Sequence, residues 1–171
     1  MTRDELLNAL ENGEKDFHGK IFVKMDFEGL KLEDFNFVDC NLYGANLYCA
    51  NLKGANLENA NLENVKLYGV NLENAKLTNA NSYGANLEGA KLMYANLENA
   101  NLKGANLEKA NLINANLEKA NLENAKLTNA NSYGANLENA NLKGANLEGA
   151  NLMYANLYGA NLENTKGVNL W

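Results

Sequence analysis

Proline is absent from the 171 residues, tryptophan and histidine occur once each, and cysteine occurs twice. Each scarcity removes a class of function. Catalysis needs several titratable groups to converge on one point. With His18 as the only histidine, a Cys/His or Ser/His/Asp arrangement has no second component. Cys40 and Cys49 make no disulfide framework, which agrees with a reducing compartment. Metal centres need clustered Cys, His or carboxylate ligands, and no such cluster is spelled out. The 14 glycines are spread as turn punctuation rather than gathered into a phosphate-binding loop. The chain therefore reads as a non-enzyme, with no catalytic residues, cofactor or metal expected. Long apolar runs are missing too. Met1 to Glu14 holds no stretch of signal-peptide length, and no run approaches the roughly 20 residues of a membrane span. The expectation is a cytoplasmic protein without a membrane association.

What is present is a repeat, which is the first thing to seek in a biased composition. Ala45-Asn-Leu-Tyr-Cys, Ala50-Asn-Leu-Lys-Gly and Ala55-Asn-Leu-Glu-Asn show the unit, Ala-Asn-Leu-x-x. Taking its Leu as the centre, centres fall every five residues from Phe17, Phe22 and Phe27 to Leu162. That gives 30 units between Lys15 and Asn164 without an insertion or deletion. A period of five is neither the 3.6 of a helix nor the 2 of a long strand. Within a unit, however, Ala and Leu are two apart and share one face of an extended backbone. Asn faces the other way, and the last two positions, mostly polar or Gly, read as a turn. A chain that bends the same way every five residues must coil, with Ala and Leu inside.

This pattern resembles the pentapeptide-repeat family, over about 150 of the 171 residues. The resemblance implies an all-β fold, a right-handed quadrilateral β-helix with four units per coil. Thirty units then make 7.5 coils and a rod roughly 36 Å long at about 4.8 Å per coil. The boundaries are expected at 1–14 for a capping helix, 15–164 for the β-helix and 165–171 for a C-terminal cap. Thr2 and Glu5 form a capping box, Leu6, Leu7 and Leu10 make one apolar face, and Gly13 ends the helix. Val168, Leu170 and Trp171 are expected to fold over the last coil. Asn residues in register are expected to form amide ladders. Gly stands at the second turn position of 12 units and Asn at 10. Both tolerate the positive φ of a type II turn. Tyr94, Lys109, Lys119 and Tyr154 also sit there, and type I-like turns are expected at those four corners.

Two further features mark particular residues. Asn71 to Leu87 recurs unchanged as Asn121 to Leu137, an offset of 50 residues or 2.5 coils. Ser82 and Ser132 therefore replace the central Leu on opposite sides, and their inward hydroxyls are expected to bond backbone groups. Glu98, Glu118 and Glu138 stack on one face and read as a solvated column relieved by Lys76 and Lys119.

Function turns on the outward side chains. Some pentapeptide-repeat proteins protect type II topoisomerases by imitating duplex DNA, so the resemblance raises a DNA mimic as an alternative. Mimicry needs dense negative charge, because duplex DNA carries one charge per about 1.7 Å. Residues 1–40 hold ten acids and five bases, a balance of −5, whereas residues 41–171 hold eleven Glu and ten Lys, a balance of −1. The nearly neutral body disfavours mimicry and nucleic-acid partners. One corner stands out instead. At 20-residue intervals its first turn position runs Glu33, Lys53, Glu73, Met93, Ile113, Tyr133, Met153, with Tyr94 and Tyr154 beside it. Six outward apolar or aromatic side chains make a candidate protein-binding strip, for a partner protein or for self-association. Tyr48 and Tyr68 stack on another face and read as a ladder.

Overall fold

A computed structural model describes residues 1–168. Its architecture follows from one rule of hydrogen bonding. Every fifth residue from Asp16 to Asn146 makes a parallel bridge to the residue twenty further along. A coil is therefore 20 residues, or four five-residue sides, and a β-helix solenoid results.

The unit Asn46 to Ala50 shows how all five backbone N–H groups are used. Asn46 N–H donates back to Met25 O (2.9 Å), Leu47 N–H forward to Lys66 O (2.8 Å), and Cys49 N–H forward to Tyr68 O (2.9 Å). Ala50 N–H closes the turn on Leu47 O (3.1 Å). The fifth donor, Tyr48 N–H, has no backbone acceptor and goes to the Asn46 side chain (3.2 Å). The same Asx contact recurs along the chain, for example at Glu98 on Asn96 and at Ile113 on Asn111. Buried or half-buried backbone donors must be paired, so Asn is chosen for its short acceptor as well as for its outward direction. The side-chain amides also form ladders, as from Asn116 to Asn96 and from Asn136 to Asn116 (3.1 Å each).

The interior is one continuous apolar column. Ala and Leu alternate around it, with the residues from Ala45 to Leu147 essentially all buried. At the amino end Phe17, Phe22, Phe27 and Phe37 replace Leu, and Phe17 and Phe37 stack with centroids 5.7 Å apart. The bridge register is unchanged there. The extra volume is absorbed at the small-residue sites, where Met25 and Leu30 are half-buried against the cluster.

The helix α1 spans Arg3–Glu11. Thr2 Oγ1 accepts from Glu5 N–H (3.2 Å), and Glu5 Oε2 accepts from Thr2 N–H (2.8 Å), the reciprocal capping box read from the sequence. Leu6 is fully buried on the phenylalanine end of the column, with Ala9 and Leu10 packed beside it. At the other end Val168 packs against the column, while Leu170 and Trp171 lie outside the described residues.

Two expectations are corrected. Tyr94, Lys109, Lys119 and Tyr154 do not adopt type I-like turns, since their φ angles are 58°, 56°, 56° and 59°. All thirty second-turn residues have positive φ, and eighteen of them are not glycine. In the internal coils the ladder holds this, because the N–H points at a carbonyl of the next coil, as Lys109 N–H does at Thr128 O (3.0 Å). Left-handed backbone is strained for lysine or tyrosine, but one residue cannot leave it without breaking register. The second correction concerns Ser82, whose buried hydroxyl has no hydrogen-bond partner. The ladder uses up the nearby backbone groups, with Ser82 N–H on Asn101 O and Ser82 O taken by Ala85 N–H.

Both corrections predict stabilising substitutions, to be read from urea unfolding midpoints. Ser82→Leu restores the residue found in the coils on either side, Leu62 and Leu102. It removes an unpartnered hydroxyl and should stabilise by about 2 kcal/mol. Lys109→Gly relieves left-handed strain and should add about 1 kcal/mol. A loss of stability in either would mean that the coil cannot accept the standard residue at that point.

Candidate functional site

Side chains at the first turn position leave the rod at its corners, and the seam between coils fixes their line. On the corner of interest Tyr94 N–H donates to Ile113 O (3.1 Å), Asn114 N–H to Tyr133 O (2.9 Å) and Gly134 N–H to Met153 O (2.9 Å). Ile113, Tyr133 and Met153 are also held by Asx contacts to Asn111, Asn131 and Asn151. At Met93 the Asn position is occupied by Lys91, which offers no acceptor.

All six predicted residues fall on this one corner, but not equally. Met93 and Ile113 are half-buried, covered by their neighbours in the stack. Tyr94, Met153 and Tyr154 are 56%, 58% and 78% exposed, and Tyr133 is exposed as well. The ring of Tyr133 meets that of Tyr154 edge-on at 5.2 Å, which ties two coils into one aromatic surface. No turn residue on this corner from position 93 to 154 is charged. One coil earlier the same column carries the Lys53–Glu73 ion pair at 3.4 Å. The apolar weight therefore lies towards the carboxy-terminal coils. Tyr158, 77% exposed in the last coil, belongs to the same end and was not among the predicted residues. Its signal was visible: it breaks the column of Glu98, Glu118 and Glu138 that precedes it.

The remaining polar groups are spread out. Lys119 sits on Glu118 at 2.8 Å. The hydrogen bond and charge of Glu118 push the lysine's pKa upward. Lys76, expected to share in relieving that column, makes no ion pair among the described residues. His18 Nε2 lies 3.7 Å from Asp39 Oδ2 on the exposed surface. Among the described residues no three His, Cys, Asp or Glu side chains come together to hold a metal. Tyr48 and Tyr68 stack nearly parallel at 5.2 Å, the ladder expected of them. Cys40 is buried and Cys49 exposed, both as free thiols. Burial raises the Cys40 thiol to about 11, and its Sγ donates to Phe17 O at 2.9 Å. No helix among the described residues is long and apolar enough to cross a membrane.

This geometry defines a protein class, a parallel β-helix of five-residue sides with a solvent-facing apolar corner. The chain belongs to the pentapeptide repeat family: the family model matches in eight copies, over residues 22–59, 55–93, 95–131 and 133–166. Among solved structures, a trypsin-treated form of QnrB1, a plasmid-mediated fluoroquinolone resistance protein, is similar at a TM-score of 0.71. It is 23% identical, over 92% of this chain and 84% of its own. Full-length QnrB1 gives 0.50 at 20% identity, over 91% and 88% of the two chains. HetL, a pentapeptide repeat protein involved in heterocyst differentiation regulation in the cyanobacterium Nostoc sp. strain PCC 7120, is 25% identical over 96% of each chain, with a TM-score of 0.32. No curated protein matches the sequence. At such identity the likeness to QnrB1 is one of fold.

The two thiols give a direct test of which side chains are inside. At pH 8 an aromatic disulfide reagent should modify Cys49 within minutes and leave Cys40 intact until the protein unfolds, because Cys40 is only 1% exposed and its burial also keeps the thiol protonated. Intact-mass measurement gives the count, and Cys49→Ser should abolish the native-state reaction. Equal labelling of both would show that the first coils open.

Proposed function

We propose that the protein is a non-catalytic binding or assembly module, and that Met93, Tyr94, Ile113, Tyr133, Met153 and Tyr154 form its contact surface for a partner protein or a second copy. One observation carries the reading: four successive coils present only apolar or aromatic first-turn residues at one corner, of which Tyr133 and Met153 are exposed. The other corners interleave these positions with charge, as in the Lys103–Glu123 and Lys143–Glu163 pairs at 3.0 Å each. An exposed apolar patch on the order of several hundred Å² commonly marks an interaction site. Tyrosine suits such a surface, giving wide contact area and a hydroxyl at modest entropic cost. The DNA-mimic alternative is weaker on charge, since residues 41–171 carry only −1.

The test exploits the tolerance of the other corners. Met93, Ile113, Tyr133 and Met153 changed alternately to Lys and Glu would copy a pattern the fold already accepts, so the unfolding midpoint should move by less than about 1 kcal/mol. Light scattering on the parent and the variant then reads the surface. A parent of about twice 18.7 kDa should fall to the single-chain mass. A monomeric parent should lose the protein it captures from its source cell. Association that survives the four substitutions would sink the strip as the contact surface.

A further inference from the structure

Residues 41–171 are nearly neutral as a whole, but their charge is sided. The corners five residues before and five residues after the apolar strip carry Glu88, Glu108 and Glu148 on one side and Glu98, Glu118 and Glu138 on the other. Lys91, Lys109 and Lys119 are the bases on the same half of the rod, so its balance over residues 88–159 is −3. The opposite corner and the faces beside it hold Lys103, Lys126 and Lys143 against Glu123, a balance of +2.

The ladder does not require these acidic columns. Like charges stacked on neighbouring strands destabilise a sheet, and elsewhere the chain relieves this by alternation. Lys53 pairs with Glu73, Lys103 with Glu123 and Lys143 with Glu163, each one coil apart. Beside the strip, Glu98, Glu118 and Glu138 follow one another without alternation. Lys119 meets Glu118 at 2.8 Å, but the other five glutamates make no ion pair among the described residues. Glu138 accepts from the Asn156 side chain at 3.1 Å, on the face between its column and the strip. Tyr94 and Tyr133, 56% and 39% exposed, belong to inner coils with further coils on both sides. The surface on offer is thus an apolar line with an acidic margin on each side.

We propose, resting on the strip as the contact surface argued above, that its partner is an amphipathic α-helix of another protein whose apolar stripe runs between two basic margins. The rungs of the strip repeat at about 4.8 Å, and the turns of a helix at about 5.4 Å. Met93 to Met153 spans three coil steps, about 14 Å, against about 16 Å for three helical turns. Anchors spaced i, i+4, i+7 and i+11 can therefore each meet one rung. A helix also carries residues on both sides of its stripe, where Lys or Arg faces the glutamate columns. Opposite charge at the rim of an apolar contact selects the partner and speeds encounter. A second copy does not supply this charge: strip against strip, parallel or antiparallel, sets glutamate columns against glutamate columns.

Two fluorescein-labelled helical peptides of about 18 residues test this with the full-length chain. Both carry leucines at the anchor spacing; one has lysines on both margins of the stripe and the other glutamates. By anisotropy at low salt the lysine peptide should bind at least about tenfold more tightly, with the difference shrinking as salt rises. Glu98→Gln, Glu118→Gln and Glu138→Gln together should weaken it about tenfold. The same loss of charge away from the strip, by Glu11→Gln, Glu14→Gln and Glu63→Gln, should change it less than about twofold. The strip variant with alternating Lys and Glu keeps the net charge of the parent and should also weaken it at least about tenfold. Lysine-peptide binding that survives the strip variant would overturn the proposal, since it would be attraction to an acidic chain at large. Equal binding of both peptides, or a parent that dimerises through the strip, would overturn the basic partner and leave the strip standing as the contact surface. If neither peptide binds, the helical partner falls, and the strip itself then stands or falls on whether its variant changes the parent's own association.

Discussion

The requirement that the backbone N–H groups of each coil find acceptors in the coils beside it governs this molecule. In an internal unit three go to neighbouring coils and one closes the turn, and the fifth takes the side chain of Asn where Asn stands two residues before it. The ladder itself is not optional, because each coil is both the template and the product of its neighbours. A residue that loosened its own corner would break bonds in two coils. That is why left-handed backbone persists at Tyr94, Lys109 and Lys119, where the side chain alone would choose otherwise. It is also why the amino-terminal coils keep their register around five phenylalanines, with Met25 and Leu30 half-buried at the small-residue positions.

Much of this was legible in the sequence. The five-residue period with apolar residues two apart gives the coil, the inside and the outside, and Thr2 with Glu5 gives α1. The turns at Tyr94, Lys109, Lys119 and Tyr154 were misread because local preference was weighed without the seam that overrides it. The Asx contact was missed for a related reason. Asn was assigned to outward ladders, whereas its closer task is to accept from the N–H two residues on, and the recurrence of Asn two positions before the turn was the available signal. The unpartnered hydroxyl of Ser82 escaped notice because it depends on an inventory of neighbouring bonds, not on the residue type.

The candidate site was legible in position but not in emphasis. Spacing of 20 placed all six residues on one corner. It could not say that Met93 and Ile113 would be half covered by stacking while Met153 and Tyr154 stand clear, nor that Tyr133 would lean edge-on towards Tyr154. Those details come from the contact of one coil with the next, which a one-dimensional pattern does not contain. They put the two most exposed of the six, Met153 and Tyr154, in the last coil.

A solenoid of this kind has spent its interior before any function is considered. Ala and Leu fill the column, Asn serves the backbone, and the second turn position is constrained by its φ angle. One residue in five, the first of the turn, is free to vary without cost to the ladder, and individuality is confined to it and to the two ends. On three corners that freedom is used largely for charge, with tyrosines among it such as the stacked Tyr48 and Tyr68, and charge discourages lateral contact. On the fourth, over four coils, charge is withheld. The stacking gained between apolar neighbours is a few tenths of a kcal/mol per pair, an effect that any corner would share. It explains why such a column is tolerated, and the greater exposure of Met153 and Tyr154 follows from their place in the last coil. Neither explains why the column is confined to one corner, and that confinement is what the proposed contact surface addresses.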